Sequence, residues 1–259
     1  MKLDNRNSHK NTLLTKLAEL FSAKLEPAIA EEVGRFSRLY YHVTPVDELE
    51  ERRMDNIYGA TLSCWHFMQQ LDPGTAKLRV FNPDVEQHGW HSNHTVIEVL
   101  NSDMPFLVDS VRMELNRQGL SIHAIHNSII TVKRDEKGQL LQVIDRDKAT
   151  PSCRRESAIY LEVDRRSDQQ ALLKIEVDLQ DALNDVRAAV KDYPAMLERV
   201  KQTITGLKKI PKAIDKAEVA ETQAFLEWLL DNHFTFLACD EVALSKEGDG
   251  VAIRRVDGS

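Results

Sequence analysis

Residues 94–119, HTVIEVLNSDMPFLVDSVRMELNRQG, constrain the fold more than any other part of this chain. Val96, Ile97, Val99 and Leu100 form a β-rich apolar run. Asn101, Ser102 and Asp103 supply turn and helix-capping side chains. Pro105 suits a first helical turn, where its missing N–H costs nothing. Leu107, Val111 and Leu115 then fall on one stripe of an amphipathic helix, and Gly119 stands where a left-handed stop belongs. The segment therefore predicts a strand, a tight polar turn and a helix. Such a turn offers backbone N–H groups at a helix N-terminus, a place that favours carboxylates. Asn101, Ser102, Asp103, Met104, Pro105 and Phe106 are the candidate effector-binding residues.

The run Asp103-Met104-Pro105-Phe106-Leu107, between an apolar strand and a helix closed by glycine, resembles the Asp-x-Pro-Gly-Leu pattern of ACT domains, small βαββαβ modules that regulate amino-acid metabolism. The departure is Phe106, where that family prefers glycine. A more specific resemblance covers DMPFLVDSVRMELNRQGLSIHAIHNSII, from Asp103, and AFLEWLLDNHFTFLACDEV, from Ala224. In that order the two stretches resemble the N-terminal region of the large bacterial NAD-specific glutamate dehydrogenases. The resemblance implies an α+β fold: an ACT-like (ferredoxin-like) antiparallel sheet with helices on one face. It also implies a parent polypeptide several times longer, which oxidises L-glutamate to 2-oxoglutarate and ammonium with NAD.

Periodicity predicts what surrounds this unit. Residues 12–25 read as an amphipathic helix through Leu13, Leu14, Leu17, Leu20, Phe21 and Leu25, and residues 28–41 as a second helix beyond Pro27. Residues 48–70 read as one longer helix with an irregularity at Gly59. Residues 77–81 form a short strand, and 82–93 a polar loop. Strands are expected at 121–134, bent or bulged, at 139–144 and at 157–163, followed by helices at 168–190 and 196–207. This order departs from a plain βαββαβ module unless the strand at Lys77 or a later one completes the sheet. Residues 208–216 read as a linker, 219–230 as a helix, and 234–244 with 251–256 as a hairpin across Gly248-Asp249-Gly250. Three parts result: an N-terminal helical segment over 1–76, the ACT-like α+β domain over 77–207, and a linker with the start of a second domain over 208–259.

Composition excludes several roles. The net charge is −7, with no long basic run, which argues against a nucleic-acid surface. No apolar run is long enough to span a bilayer, and the polar N-terminus is no secretory signal. Three cysteines, Cys64, Cys153 and Cys239, lie far apart without a CxxC pair, so a reducing cytoplasm fits and a disulfide framework does not.

Catalytic motifs are missing: no GxGxxG after a strand, no phosphate-binding loop, no GxSxG, no HExxH. The segment itself is expected to be non-catalytic and to hold neither metal nor cofactor; NAD belongs to the parent. His88, His91 and His94 recur every third residue around Trp90, but a polar loop leading into a strand accounts for them better than a metal site. His123 and His126 have opposite parity in an extended strand and are expected to face opposite sides. The aromatics Phe225 and Trp228, at helical spacing, read as core.

The chain thus reads as a regulatory and oligomerisation module, with a second copy, a C-terminal catalytic domain of the same polypeptide and an amino-acid effector as expected partners. The alternatives are a free-standing amino-acid sensor and a scaffold without ligand.

Overall fold

A computed structural model describes residues 2–207, 215–240, 242–247 and 250–255. The chain divides into two compact units, residues 1–184 and 185–259.

The first unit is built on a five-stranded antiparallel sheet: β1 (Lys77–Phe81), β2 (Thr95–Ser102), β3 (Ile122–Arg134), β4 (Leu140–Ile144) and β5 (Arg154–Val163), in the order β1-β2-β5-β3-β4. The strand at Lys77 does complete the sheet. It pairs along β2 from Lys77 opposite Leu100 to Phe81 opposite Val96, so β2 is an interior strand. That explains its nearly continuous apolar run: seven of its eight residues are buried, which requires cover on both faces.

The two covers differ. On one face Val96, Leu100, Ile130, Val132, Ala158 and Tyr160 pack against α1 (Lys2–Lys24), α2 (Pro27–Tyr40), α3 (Val46–Glu51) and α4 (Met54–Met68). Leu17, Phe21, Phe36 and Met68 are the fully buried anchors of that helical layer. On the other face Ile97, Val99, Ile159, Leu161 and Val163 are almost wholly buried. There α6 (Leu107–Arg117) contributes Leu107, Val111 and Leu115. The first half of α7 (Gln169–Leu207) adds the stripe Leu172, Ile175, Leu179 and Leu183. Arg117 of α6 reaches Asp178 of α7 at 3.4 Å, which fixes these two helices as neighbours.

Four local expectations are corrected. Residues 48–70 are not one helix: Arg52 and Arg53 take extended backbone (ψ 141° and 143°) and separate α3 from α4. Gly59 lies inside α4 without breaking it. A Cβ there would stand 2.4 Å from the Gly89 carbonyl oxygen, so glycine is what lets the 82–94 loop lie on the helix. That loop holds a short helix, α5 (Val85–His88), capped by the Asp84 side chain. The helices expected on either side of 191–195 are one: Pro194 sits inside the 39-residue α7, where it removes one backbone donor without ending the helix.

In the second unit α8 (Lys216–Trp228) ends in a π-helical turn, Leu229–His233. The hairpin is β6 (Val242–Glu247) with β7 (Gly250–Arg255). Residues 234–240 precede it without forming a strand. Phe225 and Trp228 stack on one another but are about half exposed, so they are not core in this unit. Most of the expected linker and the residues Gly248 and Asp249 of the hairpin turn lie outside the described residues.

Candidate functional site

The strand–turn–helix around Asp103 forms, but its cap is not the expected one. Asn101 and Ser102 stay in the ladder opposite Ser157 and Glu156. Asn101 is therefore buried. The Asp103 carboxylate turns back to the neighbouring strand, accepting from the Ser157 hydroxyl at 3.2 Å and pairing with Arg155 at 3.0 Å. Neither it nor Ser102 caps α6. The N-cap is Phe106, at φ 68°, with no side-chain cap bond. It is the only non-glycine residue with positive φ among those described. The glycine of the ACT pattern thus marks a left-handed backbone position, and this chain adopts it with phenylalanine. Pro105 lies in the turn before the helix, and the Phe106 ring is about half exposed. The outcome is a turn whose first helical N–H groups meet no side-chain acceptor, beside the Asp103–Arg155 pair.

A second polar region lies at the other end of β2, between the sheet and the helical layer, and sequence reasoning missed it. Arg52, freed by the α3–α4 break, reaches Glu48 at 2.8 Å and Glu162 at 3.0 Å, and lies over the Tyr160 ring. The Tyr160 hydroxyl donates to Glu162 at 2.5 Å, and His126 pairs with Glu48 at 2.9 Å. Burial would raise the Glu48 carboxyl, but His126 and Arg52 outweigh it and hold it below the usual range. Burial pushes the Tyr160 phenol well up. Glu98, at the centre of β2, is buried and bonded to Arg79 of β1 at 2.6 Å. Burial raises its carboxyl, and Arg79 offsets only part of that. One signal was available: a glutamate inside an apolar strand needs a partner. Its partners' positions follow only from the sheet order.

The expected separation of His123 from His126 fails. A bulge between Ile122 and Ala124 inserts an extra residue, which resets the alternation. His123 therefore lines a cleft with Arg52 and Glu162, near His126. Its ring meets that of His94 in a tilted contact, centroids 4.3 Å apart, and it bonds Asp164 at 2.9 Å. With the Ser121 N–H, that contact holds the Asp164 carboxyl down at about 2. His88 accepts from the Asp84 N–H at 3.3 Å, so the three loop histidines have separate tasks. Among the described residues no three His, Cys, Asp or Glu are grouped to hold a metal ion, and no helix is long and apolar enough to cross a membrane.

The sequence profile of the family described as "Glutamate dehydrogenase, ACT1 domain" matches residues 36–179, from α2 through the sheet into α7. The chain belongs to this family. Its ACT1 region takes in the whole sheet, the end of α2, α3, α4, α6 and the start of α7, and the Phe106 turn lies within it. The chain is also 44% identical over 248 residues to the NAD-specific glutamate dehydrogenase of Halomonas elongata, covering 95% of this chain and 15% of that protein. It is 38% identical to the protein of the same name from Pseudomonas aeruginosa, over 89% of this chain and 15% of the relative. The Mycobacterium tuberculosis protein of that name is 25% identical over 54% of this chain. The ACT1 chain thus spans about one seventh of the first two relatives it matches.

Proposed function

We propose that this chain is the N-terminal regulatory and assembly segment of an NAD-dependent glutamate dehydrogenase. The parent would oxidise L-glutamate to 2-oxoglutarate and ammonium in the cytoplasm, with its NAD site and catalytic residues outside this segment. The observation that carries the reading is the ACT1 match over the sheet and its helices, in a chain similar to two NAD-specific glutamate dehydrogenases over nearly its whole length. The segment pairs with a second copy, responds to an amino acid or organic acid, and passes that response to the catalytic domain.

The effector's carboxylate is placed at the turn formed by Asn101, Ser102, Asp103, Met104, Pro105 and Phe106. The uncapped N-terminus of α6 is the positive end of a helix. Arg155 beside it pairs with Asp103, an anion of the same turn. Buried Asn101 shapes the turn from below, and the exposed residues Ser102, Pro105 and Phe106 form its surface. The half-exposed Phe106 ring, standing where glycine would leave the backbone bare, favours a second reading: a scaffold without ligand.

A thermal-shift screen of the twenty amino acids and common organic acids separates the two. A ligand at a hundred times its Kd adds about 2.7 kcal/mol, and Phe106→Asp should abolish that gain by placing a carboxylate at the helix start. If no compound stabilises the chain, the scaffold reading replaces the effector reading. In the same preparation glutamate and NAD should give no NADH, because no dinucleotide-binding fingerprint is present. Glutamate-dependent NADH formation would overturn the non-catalytic assignment.

A further inference from the structure

Between the α3–α4 junction, the 90–94 loop, the β3 bulge and the end of β5 lies a cleft of about 450 Å³, within the range of small-molecule pockets. Trp90 lines it and is 2% exposed, and its indole N–H meets no acceptor among the described residues. A buried polar group orphaned in this way marks a place where a ligand or water completes the bonding. An indole only donates, so whatever completes this bond must present an acceptor. The register runs from Thr95 opposite Val163 near the cleft to Ser102 opposite Glu156 near the Phe106 turn. About 23 Å of strand therefore separates the two places, and the turn reading leaves the cleft unused.

We propose that this cleft binds an uncharged planar ring with a lactam edge, a carbonyl acceptor beside an N–H donor, as oxopurines and pyrimidinones have. The carbonyl accepts from the Trp90 N–H. The adjacent N–H donates to Glu51, an exposed carboxylate of the same cleft for which no ionic or hydrogen-bonding partner stands among the described residues. Glu48 and Glu162 do not compete for that role, because Arg52 and His126 already hold them. The flat ring lies against the imidazoles of His94 and His123, which meet at 30° with centroids 4.3 Å apart; histidine is among the side chains on which nucleobases stack. Charge is disfavoured in both directions. An anion meets the three carboxylates against the single guanidinium of Arg52, and a cation that only donates leaves the Trp90 N–H open.

The test follows the Trp90 indole N–H signal by NMR in the whole chain, assigned by triple-resonance methods. Inosine carries the lactam edge; purine riboside has the same ring system and sugar without it; inosine 5′-phosphate adds the negative charge. The expected result is a saturable downfield shift of the Trp90 N–H with inosine, none with purine riboside at the same concentration, and weaker binding of the phosphate. Glu51→Ala should weaken inosine about tenfold, the low end for loss of a hydrogen bond to a charged group. Glu136→Ala, the same change at the remote 135–138 turn, should leave it unchanged. Both glutamates are exposed, so neither substitution threatens the fold. If inosine at millimolar concentration leaves the signal in place, water alone completes the N–H and the proposal is overturned. It is equally overturned if purine riboside moves the signal as far, if both variants weaken inosine alike, or if the phosphate binds more tightly than inosine. Because neither variant perturbs the Phe106 turn, failure here leaves the effector reading standing.

Discussion

Phe106 shows how one residue can obey a family's geometry while breaking its sequence rule. Its φ of 68° is a conformation that costs an L-residue about 1–2 kcal/mol. Phe106→Gly should therefore be more stable than Phe106→Val by roughly 2 kcal/mol in urea unfolding. Equal stabilities would mean the turn does not need the left-handed backbone. Two carboxyls set opposite pH trends. Asp164 is held down at about 2. Its stabilisation is thus complete above the ordinary aspartate range and is lost as pH falls through about 2. Glu98 is raised by burial, so its contribution is complete below the ordinary glutamate range and declines as pH rises through its native value. Glu98→Gln should flatten the fall in melting temperature between mildly acidic and neutral pH. An unchanged slope would remove Glu98 as its source.

At the scale of elements, side chains decide where helices end and how layers join. Arg134, at the end of β3, forms a buried two-bond pair with Glu156 at 2.7 and 2.8 Å. It also donates to the carbonyls of Met68, at the C-terminus of α4, and of Gly138. It binds helical layer, hairpin and sheet together and satisfies carbonyls a helix end leaves open. Arg134→Met should cost about 3–5 kcal/mol, because it strands the buried Glu156 charge. Adding Glu156→Gln should recover part of that loss. If the double variant is no better than the single one, the charge is not what makes the loss large. The length of the 121–134 run pointed to a bend or bulge, but its place at Ile122/Ala124 and the break at Arg52 were not legible in the sequence. Each depends on a partner far along the chain, Asp164 for His123 and Glu162 for Arg52.

At the scale of the first unit, the two sheet edges are unequal. Along β4, Val143 exchanges bonds with side chains of α2: its N–H donates to Glu32 at 3.3 Å and its carbonyl accepts from Arg35 at 3.1 Å. Those contacts blunt that edge against pairing with another chain. β1 forms the other edge. Outside the sheet, Met113 on α6 is 70% exposed, and the N-terminal helices do not cover it, because they pack on the opposite face of the sheet. Self-association through β1 or the outer face of α6 is the expectation. Light scattering at tens of micromolar should find an oligomer, and Met113→Glu should shift it toward monomer while the circular dichroism spectrum stays unchanged. A monomeric wild type would sink the idea, as would a folded Met113→Glu chain that stays oligomeric.

The sequence by itself determined the strand–turn–helix over 94–119, the stripe Leu107–Val111–Leu115 and the capacity of β2 to be buried on both faces. Those features are local: they rest on alternation, helical period and a terminal glycine, all read within a few residues. It also carried the family, because the Asp103–Leu107 run and the Phe225–Trp228 motif are contiguous strings. Only the tertiary structure decided that β1 completes the sheet, that Asp103 turns to Arg155 instead of capping α6, and that Arg52, Glu48, His126, Tyr160 and Glu162 meet in one network. The physical reason is the same in each case. A hydrogen bond or ion pair between strands is fixed by register and strand order, and these depend on how residues distant in the chain, such as Thr95 and Val163 or Arg52 and Glu162, are brought side by side.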